Sequence, residues 1–311
     1  MSLAFVFPGQ GSQSIGMLSD LANKFPQVQI TFAEASYNLG YDLWDLIASG
    51  PAEALNETHR TQPAMLAAGI AVWRSWQSVS DIQPSYLAGH SLGEYTALVA
   101  AGALDFGDAI KLVEQRGQFM QQAVPVGEGA MAAILGLEDD VVRAVCTEAS
   151  EKGVAEAVNF NSPGQVVIAG AAQAINTAIE LAKEKGAKRA LLLPVSVPSH
   201  CALMKPAAEK LAEVLENISI KTPSIPVIHN VSVATARTEA DIKQLLAQQL
   251  HNPVRWVETV QYLAAQGVDT LVESGPGKVL AGLTKRIDKS IIGMPMFDQA
   301  SLEKVQQAVG E

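Results

Sequence analysis

Cysteine is scarce in this chain: two residues in 311, Cys146 and Cys201, far apart and in no C-x-x-C spacing. They build neither a disulfide framework nor a thiolate metal site, which fits a reducing cytosol. Basic charge is also short, with 22 Lys and Arg against 32 Asp and Glu and a formal net charge of −10. A nucleic-acid binder carries a basic footprint, so that class is disfavoured. Long apolar runs are missing. The longest, Ala64 to Trp73, is about half of the ~20 residues that a bilayer-spanning helix needs. Met1-Ser2-Leu3-Ala4-Phe5 lacks the basic region of a signal peptide and soon reaches glycines. A cytoplasmic protein with no membrane partner is expected. With 48% hydrophobic and 17% charged residues, the chain has core enough for one large domain or two unequal ones. No internal repeat or low-complexity tract interrupts it.

What is present centres on Gly89-His90-Ser91-Leu92-Gly93. Pro84 to Ala88 before it suits a short buried strand, and Glu94 to Ala101 after it forms helix readily. Strand, sharp turn and helix around G-x-S-x-G make a nucleophile elbow, whose glycines permit a strained turn that lifts the serine oxygen above the sheet. Backbone N–H groups at the new helix start can hold a developing oxyanion. The alternative is a serine in an ordinary Gly-rich turn.

Leu3 to Phe7 is a nearly unbroken apolar run that suits a central parallel strand. The loop after it spaces Gly9, Gly11 and Gly16, which is not G-x-G-x-x-G, and no G-K-[ST] follows, so a nucleotide site is disfavoured. Helix fills much of 17–80 and returns from Asp108 to Gln122. Between 126 and 196 the order changes: strand Ala130–Leu137, helix Asp139–Ser150, strands Val154–Phe160 and Val166–Ala169 around the turn Asn161-Ser162-Pro163-Gly164, helix Ala171–Lys185, strand Arg189–Val195. That βαββαβ order is ferredoxin-like. It predicts a small domain, 126–196, inserted into a large hydrolase-like α/β domain with a mostly parallel sheet, 1–125 and 197–311. Helix Ala207–Leu215 and strands Val227–Asn230 and Thr270–Glu273 return to the large domain, and a short helix or tail follows Ser301.

On the wheel of the helix Asp108–Gln122, Lys111, Gln115, Gln118 and Gln122 share one face, and Arg116 falls between Ala109 and Leu112 on the apolar one. A guanidinium there loses water and needs an anion or strong acceptors. A ligand carboxylate, a structural ion pair with a protein acid, or a snorkelling side chain would each serve.

A serine nucleophile needs a base, and five histidines are present. His90 adjoins the serine and should point away. His59 sits in a polar stretch and should be solvated, His229 lies in a strand, and His251 is at a helix end. His200 sits where the chain re-enters the large domain, and clefts form at such junctions. The acids Asp105, Asp139 and Asp140 lie between Ser91 and His200, but none sits at a strand end. A backbone carbonyl could orient the imidazole instead.

Six segments together resemble a known family: Phe7-Pro8-Gly9-Gln10-Gly11-Ser12-Gln13, Gly89 to Tyr95, Gln115-Arg116-Gly117, Asn159 to Gln165, Pro198-Ser199-His200, and Asn252-Pro253-Val254-Arg255-Trp256. In this order they are similar to the malonyl-CoA:acyl carrier protein transacylases of bacterial fatty acid synthesis, across essentially the whole chain. The resemblance implies a malonyl ester on Ser91, with malonyl-CoA and acyl carrier protein as partners and no cofactor or metal. It implies His200 as base and then acid, its ring oriented by the backbone carbonyl of Gln249. It implies Arg116 on the malonyl carboxylate and an oxyanion hole from the N–H groups of Gln10 and Leu92. In related polyketide acyltransferases the residue before the base histidine helps to sort malonyl from methylmalonyl; Ser199 stands there, not the bulky Phe of one such signature. Two other classes share parts of the pattern: a serine esterase or thioesterase, and a non-catalytic carrier-binding module.

An acidic carrier must also overcome the net charge of −10. A local basic patch is therefore expected, either Lys183, Lys185, Lys188 and Arg189, or Lys278, Lys285, Arg286 and Lys289 after Gly275-Pro276-Gly277. The second cluster is preferred, because α/β clefts open at strand ends.

Overall fold

A computed structural model of the chain describes residues 2–195 and 197–310. In chain order the strands are β1 (Leu3–Phe7), β2 (Tyr86–Gly89), β3 (Gly129–Leu135), β4 (Ala155–Ser162), β5 (Gln165–Ala171), β6 (Arg189–Leu192), β7 (Val227–Ile228), β8 (Thr270–Ser274) and β9 (Ile292–Met296). They form two sheets. The larger runs β7-β2-β1-β8-β9 with every neighbouring pair parallel. The smaller runs β4-β5-β3-β6 and is antiparallel.

The apolar run of β1 is buried along its whole length because both faces of the sheet are covered. Leu3, Phe5 and Phe7 enter one core, while Ala4 and Val6 enter the other. Phe5 stands edge-on to Trp73, with ring centroids 5.0 Å apart. Each buried phenylalanine contributes about 1.5–3 kcal/mol. Trp73 belongs to the helix Thr58–Gln77, whose middle is buried almost all round. The run Ala64–Trp73 is therefore a core helix, and among the described residues no helix is long and apolar enough to cross a membrane.

In the small sheet the helices Asp139–Ala149 and Ala172–Glu184 pack on one face. Met131, Val158, Val167 and Ala169 line the other face and meet Cys201. The predicted βαββαβ order is the observed one. Val254 N–H donates to Val158 O (2.8 Å) and Phe160 N–H to Val254 O (3.1 Å), tying β4 to the large sheet's side of the molecule.

Several boundaries differ from expectation. Asn161 and Ser162 belong to β4, and Ser162 pairs with Gln165, so the turn shrinks to Pro163-Gly164, with Gly164 at φ 69°. The strand predicted over Val227–Asn230 stops at Ile228, because a tight loop closes by bonds between His229 and both Val233 and Ala234. That releases His229 and Asn230 towards the elbow. The strand predicted over Arg189–Val195 ends at Leu192. Strand β9 was not foreseen: it carries Gly293 and Pro295 on a half-exposed edge, where the apolar pattern is weak. Ser196, at the predicted end of the insertion, lies outside the described residues, as do Met1 and Glu311.

Candidate active site

The elbow is built by close approach. β2 ends at Gly89 and the next helix spans Gly93–Ala100. A Cβ on Gly89 would lie 1.8 Å from the carbonyl carbon of Gly93, and one on Gly93 would lie 2.0 Å from Phe7 O. The glycines supply room, and the strain falls on Ser91 itself, at φ 51°. A left-handed non-glycine residue costs roughly 1–2 kcal/mol and persists where its surroundings hold it. Asn230 does so here. Its Oδ1 accepts from Ser91 N–H (2.7 Å) and its Nδ2 donates to Gly89 O (2.6 Å).

His200, also left-handed at φ 67°, places Nε2 2.7 Å from Ser91 Oγ. Its Nδ1 lies 2.7 Å from the backbone carbonyl of Gln249. A carbonyl only accepts, so Nδ1 carries the proton and Nε2 is left to accept from the serine. Burial, then the nearby Arg116 charge, depresses the His200 pKa to about 3. No acid touches this ring among the described residues. Asp105 caps the helix Phe106–Ala123, and Asp139 and Asp140 open a helix of the small domain.

The other histidines are engaged elsewhere. His90 turns its Nε2 to Asn161 Oδ1 (2.8 Å). His59, expected to be solvated, is half-buried with Nδ1 2.9 Å from Gln121 Oε1. His229 is buried against Glu94. His251 follows the end of the helix Glu239–Gln249.

Arg116 is 1% exposed. Its two terminal nitrogens donate to Gln62 Oε1 (2.8 Å) and Gln249 Oε1 (2.9 Å), and one lies 3.4 Å from Ser91 Oγ. The guanidinium stands 5.3 Å from the Tyr95 ring centroid, and Nε is buried without a partner. Among the described residues no carboxylate lies within ion-pair distance of it. The expected alternatives of a protein ion pair and a snorkelling side chain therefore find no support in the geometry. A buried cation held by two neutral amides beside a serine hydroxyl is set to receive an anion.

Gln10 and Leu92 line the same cavity as Ser91, Arg116 and His200. A Cβ on Gly9 would lie 2.6 Å from His90 O, which shows how closely the loop after β1 lies to the elbow. Neither the Gln10 nor the Leu92 N–H donates to a protein acceptor among the described residues. Lys285 and Arg286 are exposed on the helix Val279–Ile287, outside this cavity. Arg286 reaches across to Gln165 Oε1 of β5 (2.9 Å). In the alternative basic cluster, Lys183 is paired with Glu180. No group of three His, Cys, Asp or Glu among the described residues could hold a metal.

Sequence reasoning missed Gln62, Asn230 and Glu94. Glu94 is fully buried and accepts from His229 Nδ1 (2.7 Å), Asn230 N–H (3.0 Å) and Gln249 Nε2 (2.7 Å). A carboxylate just inside a helix start reads as a favourable dipole partner, and only its immediate sequel to the elbow hinted at more.

Comparison with known proteins agrees with this geometry. The family model described as acyl transferase domain matches residues 4–306. The chain is 60% identical over 299 residues to the malonyl CoA-acyl carrier protein transacylase of Escherichia coli K12, covering 96% of this chain and 97% of that one. The acyl carrier protein S-malonyltransferase of Vibrio cholerae superposes with a TM-score of 0.96 at 59% identity, covering 98% of this chain and 100% of the other. A malonyl-transacylase solved in complex with a type II PKS acyl-carrier protein gives a TM-score of 0.98 at 55% identity, covering 99% and 100%. The chain therefore belongs to the acyl transferase domain family and, within it, to the malonyl CoA-acyl carrier protein transacylases.

Proposed function

We propose that this protein transfers malonyl from malonyl-CoA to the phosphopantetheine thiol of acyl carrier protein through a malonyl ester on Ser91, supplying fatty acid elongation. One observation carries the reading: Ser91 Oγ lies 2.7 Å from His200 Nε2 and 3.4 Å from an Arg116 nitrogen that has no carboxylate partner. A nucleophile, its base and an anion receptor thus converge on one oxygen.

In the first half-reaction Ser91 Oγ attacks the thioester carbonyl carbon while His200 Nε2 takes its proton. The negative charge develops on the carbonyl oxygen, where the N–H groups of Gln10 and Leu92 are free to donate. Each such donor is worth about 2.7–4 kcal/mol in comparable sites. Collapse expels the coenzyme A sulfur, which receives the proton from imidazolium. In the second half-reaction the carrier thiol gives its proton to His200, attacks the ester carbon, and Ser91 Oγ leaves with that proton. The Gln249 carbonyl holds the ring in one tautomer throughout. An acid in its place would set a second negative charge near the malonyl anion. Arg116 would pair with that anion, orienting the acyl group and favouring malonyl over acetyl.

Mixing the protein with malonyl-CoA or acetyl-CoA and measuring intact mass tests the reading. A persistent malonyl adduct on Ser91 supports the transferase. Rapid release of free malonate would mean an esterase or thioesterase, and no adduct would mean a carrier-binding module. Lys285 and Arg286 we assign to carrier docking, supported by their exposure and by the reach of Arg286 to the small sheet. A cytoplasmic location is part of the same reading, supported by the free thiols of Cys146 and Cys201. Cell fractionation tests it.

A further inference from the structure

Among the described residues two carboxylates are fully buried, Glu94 and Glu273. Glu273 accepts from the N–H groups of Val279 (3.1 Å) and Ala281 (2.8 Å), and so caps the helix Val279–Ile287. Glu94 has no comparable helix to cap. It faces Gln249, and Gln249 stands between it and Arg116.

The chemistry of that arrangement permits one orientation. A guanidinium only donates and a carboxylate only accepts. The Gln249 carboxamide must therefore turn its NH2 to Glu94 (2.7 Å) and its oxygen to Arg116 (2.9 Å). The same NH2 donates to the backbone carbonyl of Ser91 at 3.0 Å. We propose that Glu94 is a positioning residue for acyl selection: by locking the Gln249 carboxamide it holds the Arg116 guanidinium where the substrate carboxylate binds. The inference rests on the role assigned to Arg116 above. Without an acceptor at position 94, only the longer bond to the Ser91 carbonyl still holds the NH2, and the carboxamide can rotate and present NH2 to the guanidinium, donor against donor. Arg116 then keeps one amide anchor, Gln62.

The readout is the ratio of malonyl to acetyl self-acylation rates, measured by intact mass in single turnover, with thermal unfolding as a check on the fold. Glu94→Ala should lower that ratio by on the order of tens-fold, since it frees a charged partner in a desolvated site. Glu94→Gln keeps an oxygen, which can still accept from Gln249 if His229 exchanges tautomer. It should recover most of the loss and leave a deficit of about fivefold, the difference between a charge-assisted and a neutral hydrogen bond. In an Arg116→Ala background neither change should move the ratio further, because the two residues act on one quantity.

Equal losses for both acyl groups in Glu94→Ala would make Glu94 a support of the elbow alone and overturn the inference. A ratio that collapses in Arg116→Ala but holds in Glu94→Ala and Glu94→Gln would do the same, leaving the Arg116 reading intact. A ratio unchanged in Arg116→Ala would overturn that reading and this inference together. If Glu94→Ala does not fold, the ratio of Glu94→Gln decides: a drop supports the inference and the wild-type value overturns it.

Discussion

The two sides of the cavity are made of different material. On the reacting side, Ser91 and His200 each stand in a left-handed conformation and each is held through a main-chain group, Ser91 by its own N–H on the Asn230 side chain and His200 by the backbone carbonyl of Gln249. On the selecting side, Arg116 is placed by side chains from other helices, Gln62 and Gln249, which lie 54 and 133 residues away in sequence. Strained backbone fixes the nucleophile and base within a narrow geometry, as proton transfer requires. Long side chains hold a charge, which tolerates small shifts but requires that competing anions be absent. Substitutions should therefore separate the two sides: damage to the first should stop chemistry for every acyl group, and damage to the second should change which acyl group is used.

The largest effect is expected on the reacting side. Ser91→Ala deletes the oxygen proposed to bond the acyl group, so no adduct should form with malonyl-CoA or acetyl-CoA while thermal unfolding stays near the parent's. An adduct that survives would remove Ser91 from the mechanism. His200→Ala should cost nearly as much acylation, several orders of magnitude, because nucleophile and base act as a unit. If His90→Ala or His251→Ala is more damaging, the base has been misassigned.

On the selecting side the loss should be smaller and depend on the substrate. Arg116→Ala removes one half of the proposed desolvated charge pair with the malonyl carboxylate, worth roughly 2–5 kcal/mol. Malonyl transfer should fall on that scale, and acetyl transfer should hold or improve. Parallel losses would place Arg116 with the structural residues.

The two sides also meet electrostatically. Burial and then the Arg116 charge depress the His200 pKa to about 3, so the ring is neutral through the physiological range. The acid limb of kcat/KM should lie well below the ordinary histidine value of ~6.5. Acetyl-CoA is the substrate to use, since its acyl group carries no titrating carboxyl. Arg116→Ala removes one of the depressing causes, so the limb should move to higher pH; a limb that stays put would break the link between the two sides. The stability consequence has a definite sign. Between the unfolded value and about 3, the unfolded chain binds the extra proton, so this histidine costs stability increasingly as pH falls through that window. His200→Asn should accordingly lessen the acid sensitivity of thermal unfolding.

The same contrast explains what could be read from the chain. The elbow was legible because its parts are consecutive: a short strand, Gly89 to Gly93, and a helix. The βαββαβ insertion was legible because local periodicity and turns set its order. Arg116 announced itself only as a charge on an apolar wheel face, and its partners stayed hidden. Gln62, Asn230 and Glu94 are ordinary polar residues in sequence, and only the packing of separate elements brings them to one place. Asn230 was further concealed because Val227 to Asn230 reads as a continuous strand, whereas the structure bends after Ile228. His200 was suggested by its place where the chain re-enters the large domain, but Gln249 as its carbonyl partner came from resemblance, since no local pattern marks a histidine whose orienting group is a main-chain oxygen of residue 249.

The smallest effect should come from outside the cavity. Lys285 and Arg286 are exposed, and as the proposed docking surface they would attract an acidic carrier against the global field of a chain at −10. Screening limits their reach to about 8–10 Å at physiological salt, so they can act on the final approach of the carrier and not on its distant steering. Mutating rim charges changes encounter more than chemistry, and single exposed pairs are worth about 0.2–1 kcal/mol. Reversing both, Lys285→Glu with Arg286→Glu, should therefore raise the KM for carrier several-fold and leave self-acylation by malonyl-CoA at the parent rate. The parent's carrier KM should also rise with added salt, and the double variant's should rise less. Carrier kinetics that are unchanged by the reversal, and insensitive to salt in the parent, would move the docking surface elsewhere, with Lys185, Lys188 and Arg189 next to be reversed.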